Sequence, residues 1–362
     1  MRVGIIGLGA IGGVVAARLS ARPAGLDLCC AGGSRAGQLT RLEVRGEKPV
    51  AVAVREQLED GPFELILLCT RTDATEVALR PALPLLARDG AVVCLQNGLP
   101  EERAAAIVGQ ERVLGAVIGW SASTLGPGNY EVTGQGGFVL GRGRAAVSPQ
   151  AATAAAPAAA PEAAPEAPTA AATDGRLQDA RAVLERAFPV RVTGNLPGAR
   201  WSKLALNCAL STLGAVTGFE LGQLCSSLEA RRLALRLIGE ATATAQLLGV
   251  RLERISGLDP RWVSEGGPLP LPLAHALLWA VGRLRPRQRS GMLERLRNGR
   301  PEGQVDDLNG AVARAALAHH SRAPLNERLC ALVHAIERGE EKQAPGQIAR
   351  LASPSKAPWA GR

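Results

Sequence analysis

"RVGIIGLGAIGGVVAARLS" (residues 2–20) decides the fold. Val3 to Ile6 reads as a short buried strand, and a helical pattern runs on through Leu19. Between them Gly7, Gly9 and Gly12 are spaced G-x-G-x-x-G. The first glycine permits a tight turn, the second lets backbone approach a pyrophosphate, and the third lets helix and strand pack closely. The helix then begins with unpaired N–H groups and the positive end of its dipole facing the phosphates. A glycine triplet alone is a weak signal. One that leaves a strand and opens a helix marks Gly7, Leu8, Gly9, Ala10, Ile11 and Gly12 as a dinucleotide-binding turn. The same opening has the Arg, apolar run and small residues of a secretory leader, but the glycine spacing accounts for it better.

Working outward, strand patterns lie at 26–31, 64–70, 91–97, 112–120 and 189–195, with helical patterns between several of them. That alternation predicts an α/β fold, a Rossmann-type doubly wound parallel sheet. "GPGNYEVTGQGGFVLG" (126–141) adds short, turn-rich strands, expected to be antiparallel. Residues 145–173 contain 16 Ala and 5 Pro. Proline at that spacing interrupts helices, and nothing there forms a core. The segment reads as a disordered or polyproline-like insertion in a surface loop. A helix, "LQDARAVLERAF" (177–188), and the last strand follow it, so the expected first domain spans 1–195. From 196 to 341 the patterns are nearly all helical, a second domain. The tail 342–362 is expected to be disordered.

The 362 residues suffice for two domains. The formal charge of +9 comes from basic residues scattered along the chain. No basic run interleaves with aromatics, which argues against nucleic acid and suits an anionic small ligand. Seven cysteines without a C-x-x-C fit reduced thiols in a cytoplasmic protein. The four histidines (275, 319, 320, 334) show no metal spacing that recruits carboxylates, so no metal is expected. No run reaches the roughly 18 apolar residues of a membrane helix.

Three stretches carry chemistry. In "WSKLALNCALS" (201–211) an ammonium and an amide interrupt an apolar helix, and a buried ammonium is costly unless paired. On a helix over 200–213, Lys203, Asn207 and Ser211 stack at i, i+4 and i+8, as a site edge or a solvated stripe would. In "LQNGLPEE" (95–102), Asn97 ends a parallel strand, where ligands bind or a turn begins. In "GQVDDLNGAVARAA" (303–316), Asp306, Asp307 and Asn309 precede a helix, and capping is the simpler reading.

"GLGAIGG" (7–13), "QNG" (96–98), "WSKLALNCALSTLGAVTG" (201–218), "DDLNGAV" (306–312) and "APLNERL" (323–329) occur in the order found in ketopantoate reductases, which this chain resembles. The resemblance covers most of 2–339, apart from the Ala/Pro insertion and a segment around 258–286. It implies a Rossmann domain plus a helical domain, with the active site in the cleft between them. It also implies NADPH as cofactor and reduction of a small 2-oxo acid, ketopantoate, to pantoate, a step of pantothenate biosynthesis, by a monomer or homodimer. The family's catalytic lysine falls on Lys203. Asn97 falls on an asparagine that holds the nicotinamide and the lysine, and Asn207 on a substrate asparagine. Gly7 to Gly12 match the phosphate loop, Arg71 a basic position near the cofactor, and Thr124 a cofactor-contacting loop residue. There are departures. Gln304 takes the place of a glutamate beside the lysine and cofactor, with Glu302 two residues before it. Ser211 replaces a second substrate asparagine. The family serine aligns with Gly291, leaving Ser290 one residue off. The arginine that reads the adenosine phosphate aligns with Gly32, leaving Arg35 with Ser34. The altered substrate half leaves two rivals: a reductase of another 2-oxo acid, and a nucleotide-binding regulator without turnover.

Overall fold

The computed structural model describes residues 1–38, 40–143, 174–297, 299 and 303–353, without the side chains of Ser34, Arg35 and Gln38. The Ala/Pro segment 145–173, Glu302 and the end of the chain, 354–362, lie outside the described residues. The chain divides into two compact units, Met1–Pro197 and Gly198–Arg362.

The first unit contains strands β1 (Arg2–Ile6), β2 (Asp27–Ala31), β3 (Arg41–Val44), β4 (Val50–Ala51), β5 (Val54–Arg55), β6 (Phe63–Leu68), β7 (Leu86–Cys94), β8 (Val113–Ile118), β9 (Ser121–Gly126), β10 (Asn129–Gly134), β11 (Phe138–Arg142) and β12 (Val190–Val192). Its helices are α1 (Ala10–Ser20), α2 (Thr75–Leu79), α3 (Glu101–Val108) and α4 (Gly175–Leu184). The main sheet runs β12-β11-β8-β7-β6-β1-β2-β5. Its part β5-β2-β1-β6-β7-β8 has the 3-2-1-4-5-6 order of a doubly wound nucleotide-binding sheet, all parallel. The strands read as continuous apolar runs because both faces are covered. Val3, Ile5, Leu65, Leu67 and Val93 pack with Val14 and Val15 of α1. Ile66, Leu68 and Val92 pack with Leu79, Ala104 and Val108.

At one edge the sheet turns antiparallel, as the turn-rich stretch 126–141 leads one to expect. β11 runs antiparallel to β8, and β12 parallel to β11. The chain leaves β8 to build a second sheet, β4-β3-β10-β9, and returns from the opposite end. β9 and β10 form the antiparallel pair expected from the turn-rich stretch. Two-residue strands such as β4 and β5 leave no period in the sequence to find.

The second unit is helical: α5 (Leu196–Leu206, entering from the first unit), α6 (Thr212–Thr217), α7 (Leu221–Ser226), α8 (Leu228–Leu247), α9 (Leu271–Leu284), α10 (Gly291–Arg297), α11 (Gln304–Asp307), α12 (Asn309–Ala318), α13 (Pro324–Glu337) and α14 (Gln347–Ala352). α8 is its longest helix. Ser227 caps it by accepting from the Ala230 N–H, and Leu233, Leu237, Ile238, Ala241 and Ala245 are buried. Two expectations change here. The single helix over 200–213 is interrupted by a π-helical turn, Asn207–Ser211. The tail is not wholly without structure: α14 buries Gln347, Ile348 and Leu351, and the Ala344 N–H donates to the Val216 carbonyl at 3.1 Å.

Candidate functional site

The glycine turn has the conformation its sequence demands. Gly7 has φ +95°, open to glycine and costly for other residues. A Cβ on Gly12 would lie 1.9 Å from the Gly7 carbonyl oxygen, so α1 closes on the turn only without a side chain. Gly9 differs: a Cβ there would meet no protein atom within 4 Å. The protein leaves that direction open in front of the first turn of α1, which carries no acidic residue. The ends of β1 and β6 are neighbours in the sheet, where chain order reverses and such folds bind ligands. A dinucleotide phosphate fits these features.

Three braces were not legible in the sequence. Tyr130 of β10 donates its hydroxyl to the Leu8 carbonyl at 2.9 Å. Its ring lies where a Cβ on Gly13 would be, so the second sheet holds the glycine turn from behind. Buried Gln96 donates to the Arg71 carbonyl and to the Thr70 and Thr75 hydroxyls at 2.9–3.1 Å. The Thr72 hydroxyl donates to the Asn97 carbonyl at 2.8 Å. The ends of β6 and β7, which carry Arg71 and half-buried Asn97, are thereby joined. Exposed Arg71 is paired with Asp73 at 2.6 Å. Thr124 is exposed within β9, opposite Tyr130, rather than in a loop. The backbone at Ser34 and Arg35 forms a 3-10 turn, Gly33–Gln38, after β2; their side chains lie outside the described residues.

In the second unit, Lys203 is half-buried near the end of α5, one turn before buried Asn207. Burial, and secondarily the charge of Arg285, push its pKa down to about 8. No carboxylate counters this among the described residues, Glu302 not being one of them. A regular α-helix would carry Ser211 roughly 80° around the axis from Lys203. A π turn winds less per residue and holds Ser211 back toward the lysine's line; such turns are frequent at functional sites. Ser290 is brought to this turn, donating to the Ser211 carbonyl and accepting from the Leu293 N–H, both at 3.1 Å. Its hydroxyl is therefore engaged with backbone. Gln304 is half-buried and opens α11 behind Gly303, whose φ is +55°.

A buried polar network backs the π turn. Asn309, fully buried, accepts from the Thr212 hydroxyl at 2.8 Å. It donates to the Cys208 carbonyl inside the turn and to Asn326, each at 2.9 Å. Asn326 donates to Glu240 of α8 at 2.8 Å. Sequence reading gave Asn309 to helix capping; the structure gives it to the turn.

A doubly wound sheet with open space in front of its glycine turn, followed by a helical unit with a desolvated lysine, is the build of a two-unit nicotinamide-linked oxidoreductase. The family model described as ketopantoate reductase PanE/ApbA matches residues 3–145, and that of its C-terminal domain matches 195–337. The chain belongs to the ketopantoate reductase family. A 2-dehydropantoate 2-reductase of Mesorhizobium japonicum is 26% identical, over 94% of this chain and 99% of its own. The crystal structure of a PanE/ApbA family ketopantoate reductase from Ralstonia eutropha superposes with TM-score 0.71 at 25% identity, covering 94% and 99% of the two chains. A D-mandelate dehydrogenase in ternary complex with NADH and anilino(oxo)acetate superposes with TM-score 0.72 at 19% identity, covering 94% and 99%.

Proposed function

We propose that the chain reduces the keto group of a small 2-oxo acid with NADPH, ketopantoate being the first substrate to test. The observation that carries this reading is Lys203, a desolvated ammonium whose pKa lies near 8, beside Asn207 and a π turn. The nicotinamide, when bound, supplies a hydride. Lys203 stabilises negative charge developing on the carbonyl oxygen and donates the proton that completes the alcohol. With its pKa near 8 it is mostly protonated at neutral pH yet gives the proton up readily. Asn207 and Ser211, on the same side of the interrupted helix, orient the substrate. Gly7 to Gly12 hold the pyrophosphate, with Asn97 and Thr124 as further cofactor contacts. Arg71 serves the cofactor by releasing Asp73. Gln304 supplies an amide where a relative's carboxylate would hold the lysine charged.

The preference for NADPH rests on the loop after β2. "GGSRAG" (32–37) offers no Asp or Glu for a free ribose hydroxyl. Arg35 and Ser34 suit a phosphate instead. We place the enzyme in the cytoplasm: all seven cysteines are free, and no helix among the described residues is long and apolar enough to cross a membrane. A second reading, reduction of a different 2-oxo acid, is favoured by Ser290, whose hydroxyl is spent on backbone, and by the short side chain of Ser211.

Steady-state oxidation of NADPH and NADH with a panel of 2-oxo acids, ketopantoate included, separates the readings. The first predicts the highest kcat/KM for ketopantoate with NADPH. A bulkier or aromatic 2-oxo acid in that place supports the second. No turnover across the panel overturns both.

A further inference from the structure

Histidine spacing in the sequence predicts no metal, yet the second unit gathers a ligand set on α11 and α13. Cys330 and His334 stand four residues apart on one face of α13. Asp306 comes to them from α11. His334 Nε2 lies 3.0 Å from Asp306 Oδ1. Cys330 Sγ lies 3.4 Å from the same oxygen and 3.8 Å from His334 Nε2. These three atoms lie within 4.8 Å of one another. Zinc bonds of about 2.0–2.3 Å at tetrahedral angles place N, O and S ligand atoms roughly 3.3–3.6 Å apart. The three side chains are thus within a few tenths of an ångström of that triangle.

A second observation points the same way. His334 Nδ1 is bonded to Glu337 Oε2 at 2.9 Å. Metal-ligating histidines nearly always hand their other ring nitrogen to a carboxylate or carbonyl, which fixes the tautomer and leaves the ligating nitrogen facing the ion. The site is reachable: the side chains of Asp306 and His334 are 49% and 31% exposed. Without an ion, burial and the neighbouring Asp306 carboxylate push the Cys330 thiol up to about 12, so binding has to displace its proton.

We propose that Asp306, Cys330 and His334 form a three-ligand site for a zinc-class divalent cation, with water as fourth ligand, clamping α11 to α13. A thiolate, an imidazole and a carboxylate select zinc or cobalt over magnesium or calcium. On binding, Cys330 gives its proton to solvent and the sulfur–metal bond forms; no electron is transferred. The reductase reading is not needed for this, and the test reads no activity.

Full-length protein, stripped with chelator under reducing conditions, is titrated with Co²⁺. The proposal predicts sulfur-to-cobalt charge-transfer absorption with the visible bands of a tetrahedral ion, saturating at one ion per chain and abolished by Zn²⁺. At least one proton is released per ion in the wild-type chain, a readout independent of whether any variant folds. Cys330→Ser loses the charge-transfer band. Glu337→Gln, which keeps all three ligands, weakens binding about 10–100-fold. Absence of the band at excess Co²⁺, its persistence in Cys330→Ser, or binding without proton release overturns the proposal.

Discussion

At the scale of single residues, the role proposed for Lys203 predicts the pH behaviour. Its lowered pKa means the charged form is disfavoured in the folded protein, by burial first and by Arg285 second. Proton donation needs the ammonium, so turnover falls as pH rises through about 8. Arg285→Gln, at an exposed position, removes a like charge, favours the ammonium and moves the alkaline limb of the kcat profile to higher pH. An unchanged limb in that variant would show that another group titrates. Gly12→Ala tests the cofactor turn. Its methyl would meet the Gly7 carbonyl oxygen at 1.9 Å, so cofactor affinity measured by fluorescence titration falls at least tenfold, a loss of about 1.4 kcal/mol. The tight glycine turn and the placement of Lys203 on an apolar helix were legible in the sequence, because a glycine imposed by backbone geometry and a charge on an apolar helix are anomalies that local context exposes. Tyr130 was not. It reaches Leu8 across 122 residues, and nothing around it marks it as a brace for a turn.

Among the elements, the interrupted helix from Leu196 to Thr217 matters most. Sequence spacing placed Lys203, Asn207 and Ser211 on one regular helix; Lys203 lies on α5, and Asn207 and Ser211 are the two ends of the π turn. The π turn that keeps Ser211 near the lysine's line carries no local signal, because groups on distant helices hold it. Its support is Asn309, whose amide serves Thr212, the Cys208 carbonyl and Asn326. Asn309→Leu removes all three of these bonds from buried groups. Each lost bond costs about 1–3 kcal/mol, so urea unfolding should show a loss of about 3 kcal/mol. kcat should fall more than cofactor affinity, because the turn under Asn207 and Ser211 relaxes. Equal stability in Asn309→Leu would mean the π turn stands without the network. The second sheet was only partly read: β10 lies in the turn-rich stretch, whereas β3, which alternates over only four residues, and two-residue β4 are too short to stand out from loop.

At the scale of the whole molecule, the succession of strands and helices was legible because doubly wound sheets repeat one local unit, and the turn-rich stretch 126–141 marked the antiparallel return of β11. The Ala/Pro segment 145–173 opens and closes beside structured residues: Arg142 and Asp174 form an ion pair at 2.6 Å, and the Gly143 N–H donates to the Val113 carbonyl at 3.2 Å. A short Gly/Ser linker therefore spans the gap. Loop-closure entropy changes by only about 0.6 kcal/mol per doubling of length, so Tm and kcat/KM of that deletion variant should match the wild type within error. A variant that fails to fold would reveal packing by the segment. The central claim, that Lys203 is the acid of a 2-oxo acid reductase, is tested most directly by NADPH-dependent ketopantoate reduction in wild type and Lys203→Ala, with cofactor affinity measured alongside. A proton-donating Lys203 gives a fall in kcat of roughly 10²–10³ with the cofactor Kd nearly unchanged; near wild-type turnover in Lys203→Ala rules that role out.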